Sequence, residues 1–435
     1  MIRWGLCMFA PMALCLAAFG REPIFAPTEE RIIEYDSTTN LQDPVAVLQR
    51  RLESGKVHLR FDEKSGYLPS LLDALHVSHS SQVLVFSCTS SQANHTSPHS
   101  PRALYFNDLV SLGWVPNGED VDLISIDPSV GPVFYTLTQK SAAVPRFERR
   151  NDCMRCHLVP RTLFVPGLIV RSFYTSTNGT PLATVANFVN GHNSPLVERW
   201  GGWYVTGTHP HELHLGNLFV SNSTEIDRLD RSRGANVTDL RPYFDTERYL
   251  SRDSDLISLL VLEHQVRMQN LITRANYETR YALDELATPR PPNAIGSPDW
   301  PRQRIAQAGE DLLQYMLFRD EAPLHGPIKG TSNFAREFER SGPRASGGRS
   351  LRQFDLNGRL FRYPCSYLIY SPAFDALPDP IKEFLWMRLE EILSGKDHSA
   401  AYAAFAAADR KAVFQILRET KPEFASWLKN KTAPL

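Results

Sequence analysis

The chain is short of methionine and cysteine and has no excess of either charge, and each shortage removes a class of explanation. Lysine and arginine number 47 against 48 aspartates and glutamates, a formal net charge of −1. A general nucleic-acid binder needs a basic surface, so that class is set aside. No run of like charge forms an acidic or basic tail. Beyond the first twenty residues no apolar run approaches the length of a membrane-spanning helix. Six cysteines in 435 residues are too few for a disulfide scaffold. The 31 prolines are scattered, which suits loops in a folded chain rather than disorder.

What is present begins with an export signal. Arg3 supplies a short basic start, Gly5 to Ala18 an apolar stretch, and Ala18-Phe19-Gly20 small residues for cleavage. Residues 1–20 are therefore read as a signal peptide, with an uncleaved membrane tether as the alternative. Cys7 and Cys15 would leave with it, and the mature chain keeps Cys88, Cys153, Cys156 and Cys365. Cys88 and Cys365 are left open, as a disulfide or as two buried thiols.

The rest reads as an α+β chain in two parts: residues 21–225, rich in strands, and residues 226–435, mainly helical. Asp43 to Lys56 has helical spacing behind an Asp43 cap and Pro44. Short apolar runs at 82–86, 103–106, 121–126 and 133–137, bounded by Gly, Pro, Asn and Asp, read as strands. Thr177-Asn178-Gly179 between two further runs is a hairpin signal. Leu256 to Leu283 is a long helical pattern, with Ile257, Leu260, His264, Met268 and Leu271 on one stripe. The segment 288–301, with five prolines, reads as a loop, and helices are expected at 304–318 and 380–393, with two more between 400 and 428. Ser341 to Ser350 reads as a surface loop.

Chemistry is concentrated in Cys153-Met154-Arg155-Cys156-His157. Two thiols at this spacing can form thioethers with the vinyl groups of a porphyrin, and the imidazole that follows can reach iron. One covalently bound haem c is expected, held by Cys153, Cys156 and His157. Zinc would ordinarily need a second paired cluster, and the sequence has no other cysteine pair. A dithiol redox pair would open a helix, which Pro160 interrupts soon after the motif.

The sixth iron ligand is less direct. The first methionine past Met154 is Met268, 268 − 157 = 111 residues beyond His157. Histidines are nearer: His192, then His209, His211 and His214 in an aromatic, glycine-rich stretch. Imidazole binds haem iron well. His209 is the first choice and His214 the second. His264, on the apolar stripe of the long helix, reads as a hydrogen-bonded core residue.

These residues sit among others that carry a likeness. Pro101-Arg102-Ala103-Leu104-Tyr105-Phe106-Asn107-Asp108, the CxxCH, Arg199-Trp200-Gly201-Gly202-Trp203-Tyr204-Val205-Thr206-Gly207-Thr208-His209, Leu262-Glu263-His264-Gln265 and Arg362-Tyr363-Pro364-Cys365-Ser366-Tyr367-Leu368-Ile369-Tyr370 are its signposts. Over most of residues 80 to 425 the chain resembles a family of large exported bacterial proteins that contain a cytochrome c domain. The resemblance implies a single haem and supplies no substrate. Relatives read His-Met-Gly-Asn where this chain has His214-Leu215-Gly216-Asn217. If that methionine is their distal ligand, the substitution implies histidine ligation or an open iron site here.

The leading expectation is a periplasmic monohaem c-type cytochrome that passes electrons to a redox partner protein. The alternatives are a haem enzyme such as a peroxidase, with an acid/base residue beside open iron, and a haem-based sensor.

Overall fold

The computed structural model describes residues 24–432 apart from 38, 289–296 and 298. The segment 1–20, read from sequence as a signal peptide, and most of the proline-rich segment 288–301 thus lie outside the described residues.

Three short helices lead in: α1 (Pro27–Ile33), α2 (Pro44–Glu53) and α3 (Leu68–Ala74). Asp43 caps α2 by accepting from the N–H groups of Val45 and Ala46, with Pro44 at the first helical position. Six strands follow: β1 (Val83–Val85), β2 (Arg102–Phe106), β3 (Val110–Trp114), β4 (Asp120–Asp127), β5 (Gly131–Thr138) and β6 (Phe147–Arg149). One turn of helix, α4 (Met154–His157), carries Cys156 and His157 of the CxxCH. The small pair β7 (Arg171–Ser172) and β8 (Phe188–Val189) closes around Ser176–Thr180, where Gly179 takes a φ of +91°. Strand β9 (Trp203–Tyr204) then joins the main sheet, giving a seven-stranded order β6-β5-β4-β3-β2-β1-β9, antiparallel at every pairing.

The second half is helical. The 32-residue α5 (Leu256–Ala287) is capped by Asp255. A two-residue pairing of β10 (Gly207–Thr208) with β11 (Lys329–Gly330) ties the halves together. The remaining helices are α6 (Trp300–Met316), α7 (Phe334–Arg340), α8 (Pro372–Asp375), α9 (Asp379–Ser394), α10 (Ala407–Thr420) and α11 (Pro422–Thr432). No helix among the described residues is long and apolar enough to cross a membrane.

Alternation along the strands gives the sheet two different faces. Ala103, Tyr105, Leu112, Leu123 and Val133 point to a core completed by Ile33, Leu48 and Leu71 of the leading helices. Hydroxyls pin that layer: Tyr135 donates to Asp43 at 2.8 Å and Tyr35 to the carbonyl of Pro132 at 2.8 Å. Leu104 and Ile124 point the other way, against a core built on α5, α6 and α9. Each fully buried aliphatic side chain contributes roughly 1.5–3 kcal/mol. Helix α5 is buried on nearly every side, as expected for a helix at the centre of a fold. The strand-rich and helical halves therefore share one core, with the sheet on one side of α5 and helices on the other.

Candidate functional site

Strand β6 runs into a tight 3-10 turn, Asn151–Cys153, and then α4. Arg150 grips Asp152 through two hydrogen bonds of 2.9 and 2.7 Å and fixes the approach to the motif. Met154 turns into the apolar core, whereas Cys156 is exposed and Cys153 half-buried, both as free thiols. Burial, helped by Asp152 and Asp122, pushes the Cys153 thiol up to about 11. Dithiol redox catalysts need the opposite shift, so the geometry counts against that reading.

His157 is held by one glycine. Its Nδ1 lies 2.7 Å from the carbonyl oxygen of Gly167, and its own carbonyl accepts from the Gly167 N–H at 2.9 Å. Burial lowers the pKa of His157, so the ring is neutral, with Nδ1–H donating and the Nε2 lone pair free. A carbonyl on one ring nitrogen is how ligating imidazoles are commonly oriented. Gly167 cannot carry a side chain, because a Cβ would stand 2.6 Å from Asn270 Oδ1 and 2.9 Å from Thr162 Cβ. Asn270 of α5 bonds both the N–H and the carbonyl of Leu168, at 3.0 and 2.8 Å.

The motif opens onto a cavity of about 710 Å³, within the roughly 300–1,000 Å³ of cofactor sites. Cys153, Cys156 and His157 line it together. Its floor is the second face of the sheet, where Ser111 and Gly113 leave space, and Leu168, Val170, Trp203, Leu262 and Val266 make an apolar wall. The remaining wall is polar, with Ser91, Gln92, His95, Arg102 and Asp122. Arg102 pairs with Asp122 at 2.6 Å and lies across Gly113, whose Cβ would fall 2.0 Å from the guanidinium. Ser91 and Gln92 also donate to Asp122, while the buried Nε of Arg102 has no partner.

The histidines named from sequence as distal candidates lie outside this cavity. His209 and His214 are buried with their Nε2 atoms 3.1 Å apart. His209 Nδ1 faces the Glu212 carbonyl at 3.1 Å, and His214 Nδ1 accepts from the Gly216 N–H. His214 Nε2–H therefore donates to His209 Nε2, and the pair satisfies itself. Neither ring lines the cavity of His157. His192 is likewise paired with His264, Nδ1 to Nδ1 at 2.9 Å, in a stack with Tyr315 and Phe318. His264 Nε2 reaches Ser366 Oγ at 2.8 Å. Burial explains all four: it pushes His214 and His264 down to about 3 and lowers His192 and His209. The one other histidine lining the cavity is His95, in a turn that sequence patterning left unremarked.

Arg199 is no surface residue. It is buried in an ion pair of 2.8 Å with Glu263, whose carboxyl burial raises to about 7 against the pull of the guanidinium. Cys88 and Cys365 stay apart as free thiols, Cys88 against the Thr96 carbonyl and Cys365 within the helical core.

The signpost stretches of the sequence meet around α5. Gln265 donates to the carbonyl of Asn107 at 2.7 Å and accepts from the Tyr367 hydroxyl at 2.7 Å. No family model, curated protein or solved structure matches the chain. The site is therefore argued from its own residues. Among those described, no group of three His, Cys, Asp or Glu side chains is placed to hold a metal ion, so a zinc site has no donor set here. The residues at the cavity fit a porphyrin better. Two thiols, one exposed and one half-buried, and one free imidazole nitrogen face a space that is apolar along one wall and lined on the other by the Arg102–Asp122 ion pair.

Proposed function

We propose that the chain is an exported c-type cytochrome that binds one haem c in this cavity and transfers electrons in the periplasm. The observation that carries the reading is the convergence of Cys153, Cys156 and the unprotonated Nε2 of His157 on one cavity of cofactor size. Cys153 and Cys156 would hold the group through thioethers and His157 would bind its iron, and the bound group would supply one-electron redox chemistry. The Gly167 carbonyl holds the imidazole in its ligating tautomer. Arg102, already paired with Asp122, lines the cavity and would be an arginine that a propionate meets there. The apolar wall from Leu168 to Val266 would keep water from one side, which lowers the reorganisation that accompanies electron movement. The partner is a redox protein that exchanges electrons at the exposed edge near Cys156.

A second reading, a haem enzyme of peroxidase type, draws on one specific observation. The histidines that were to fill the sixth position are engaged with each other, and the cavity wall instead presents His95, Gln92 and Arg102, groups able to move or stabilise a proton beside a bound substrate. Carbon monoxide separates the two. Slow or absent binding to the reduced protein marks a filled sixth position and a carrier. Fast binding, together with peroxide-dependent oxidation of a dye that Arg102→Leu or His95→Ala abolishes, marks the enzyme.

A further inference from the structure

A second pocket, of about 280 Å³, lies on the opposite flank of α5, between α5 and the end of α6. Three guanidiniums line it: Arg267 and Arg274 from α5 and Arg319 from the turn after α6. Two carboxylates, Asp311 and Asp320, accompany them, leaving one positive charge in excess (3 − 2 = 1). The pairing is uneven. Arg274 is bonded to Asp311 at 3.1 Å, and Asp311 also accepts from Gln307. Arg319 donates to Gln314 at 2.6 Å and lies 3.4 Å from Asp320, whose side chain is 76% exposed. Arg267 has no ion pair or hydrogen bond among the described residues, although it is half-buried against Tyr315 and Leu271. None of its nitrogens is sealed from water, so its donors are open to a ligand.

We infer that this pocket binds a small oxyanion, held by Arg267 with Arg319 as second donor. A guanidinium offers a planar fork that matches a carboxylate or phosphate oxygen pair, and two forks on one concave surface favour such a ligand over chloride. Tyr315 forms the floor, and its other face stacks on His192, so the pocket abuts the buried histidine pair rather than the haem cavity. The inference does not depend on haem.

The test is isothermal titration of the intact purified protein with inorganic phosphate and, separately, with succinate, at constant ionic strength set by potassium chloride. Saturable binding of either anion is expected, weakened at least tenfold by Arg267→Gln and severalfold by Arg319→Gln. Phosphate alone would identify a phosphoryl ligand, succinate alone a carboxylate, and both the shared oxyanion chemistry. Circular dichroism of each variant checks folding, and Arg319→Gln carries the test if Arg267→Gln does not fold. No saturable heat with either anion, or equal affinity in the folded variants, overturns the inference.

Discussion

Asn270 holds Leu168 by both backbone hydrogen bonds, and through the adjoining Gly167 it sets the angle of the His157 ring. A residue of the central helix thus positions the presumptive iron ligand without touching the cavity. Asn270→Ala leaves a buried N–H and carbonyl without partners, a loss of roughly 2 kcal/mol. The urea midpoint should fall accordingly, and the haem-loaded variant should show an altered reduced spectrum. A lower midpoint with an unchanged spectrum would make Asn270 purely structural.

Substitution of the histidine pairs should leave the iron untouched. His209→Ala, His214→Ala and His192→Ala each unpair a buried imidazole, so stability should drop by roughly 1–3 kcal/mol. The optical spectrum of the haem form should match the wild type in all three. A spectral change in His209→Ala would restore the original choice of distal ligand.

Neither Met154 nor Met268 lines the cavity, since one is in the core beneath the motif and the other in the helical core. Oxidised protein should therefore lack the charge-transfer band of an iron–thioether bond. Its presence would require a rearrangement of α4 or α5.

Stability should decline in mild acid. His214 and His264 titrate near 3 in the fold against 6.5 when unfolded, so below pH 6.5 the unfolded chain binds protons that the fold refuses. Stability is complete above 6.5 and is lost as pH falls toward 3, by roughly 1.4 kcal/mol per pH unit for each imidazole. Glu263 and Glu321 work in the opposite sense, because burial raises each to about 7 and adds stability as pH falls from there to 4.5. Two carboxyls offset two imidazoles, and the lowered His157, His192 and His209 set the sign. Thermal midpoints measured from about pH 7 to pH 4 should fall, and less steeply in His214→Asn. A flat profile would contradict the buried neutral pairs.

Strong periodicity made much of this fold legible. The Asp43-capped helix, the long helix from Leu256 and four of the strands follow from spacing and caps. Strand β3 did not, because its run is short and carries Gly113, a residue that weakens a strand signal although the apolar alternation is kept. That glycine is present for Arg102, a requirement set by a neighbouring strand and invisible locally. The helix runs on to Ala287 through residues that are exposed or half-exposed, so no apolar stripe marks that end. At the site, the CxxCH was plain, since two thiols and an imidazole at fixed spacing are a local feature. The surroundings of the cavity were not legible, because nearness in sequence does not give nearness in space. His209 and His214 are five residues apart and found each other. His95, Arg102, Gly167 and Asn270 come together only through the sheet and α5.

The most direct test of the central claim is haem retention after denaturing electrophoresis, using protein made in a host with c-type maturation machinery. The account predicts a band that stains for haem peroxidase activity, a mass increased by one haem, and loss of both in the double variant Cys153→Ala/Cys156→Ala. Correctly folded wild type that carries no covalent haem under those conditions would contradict it.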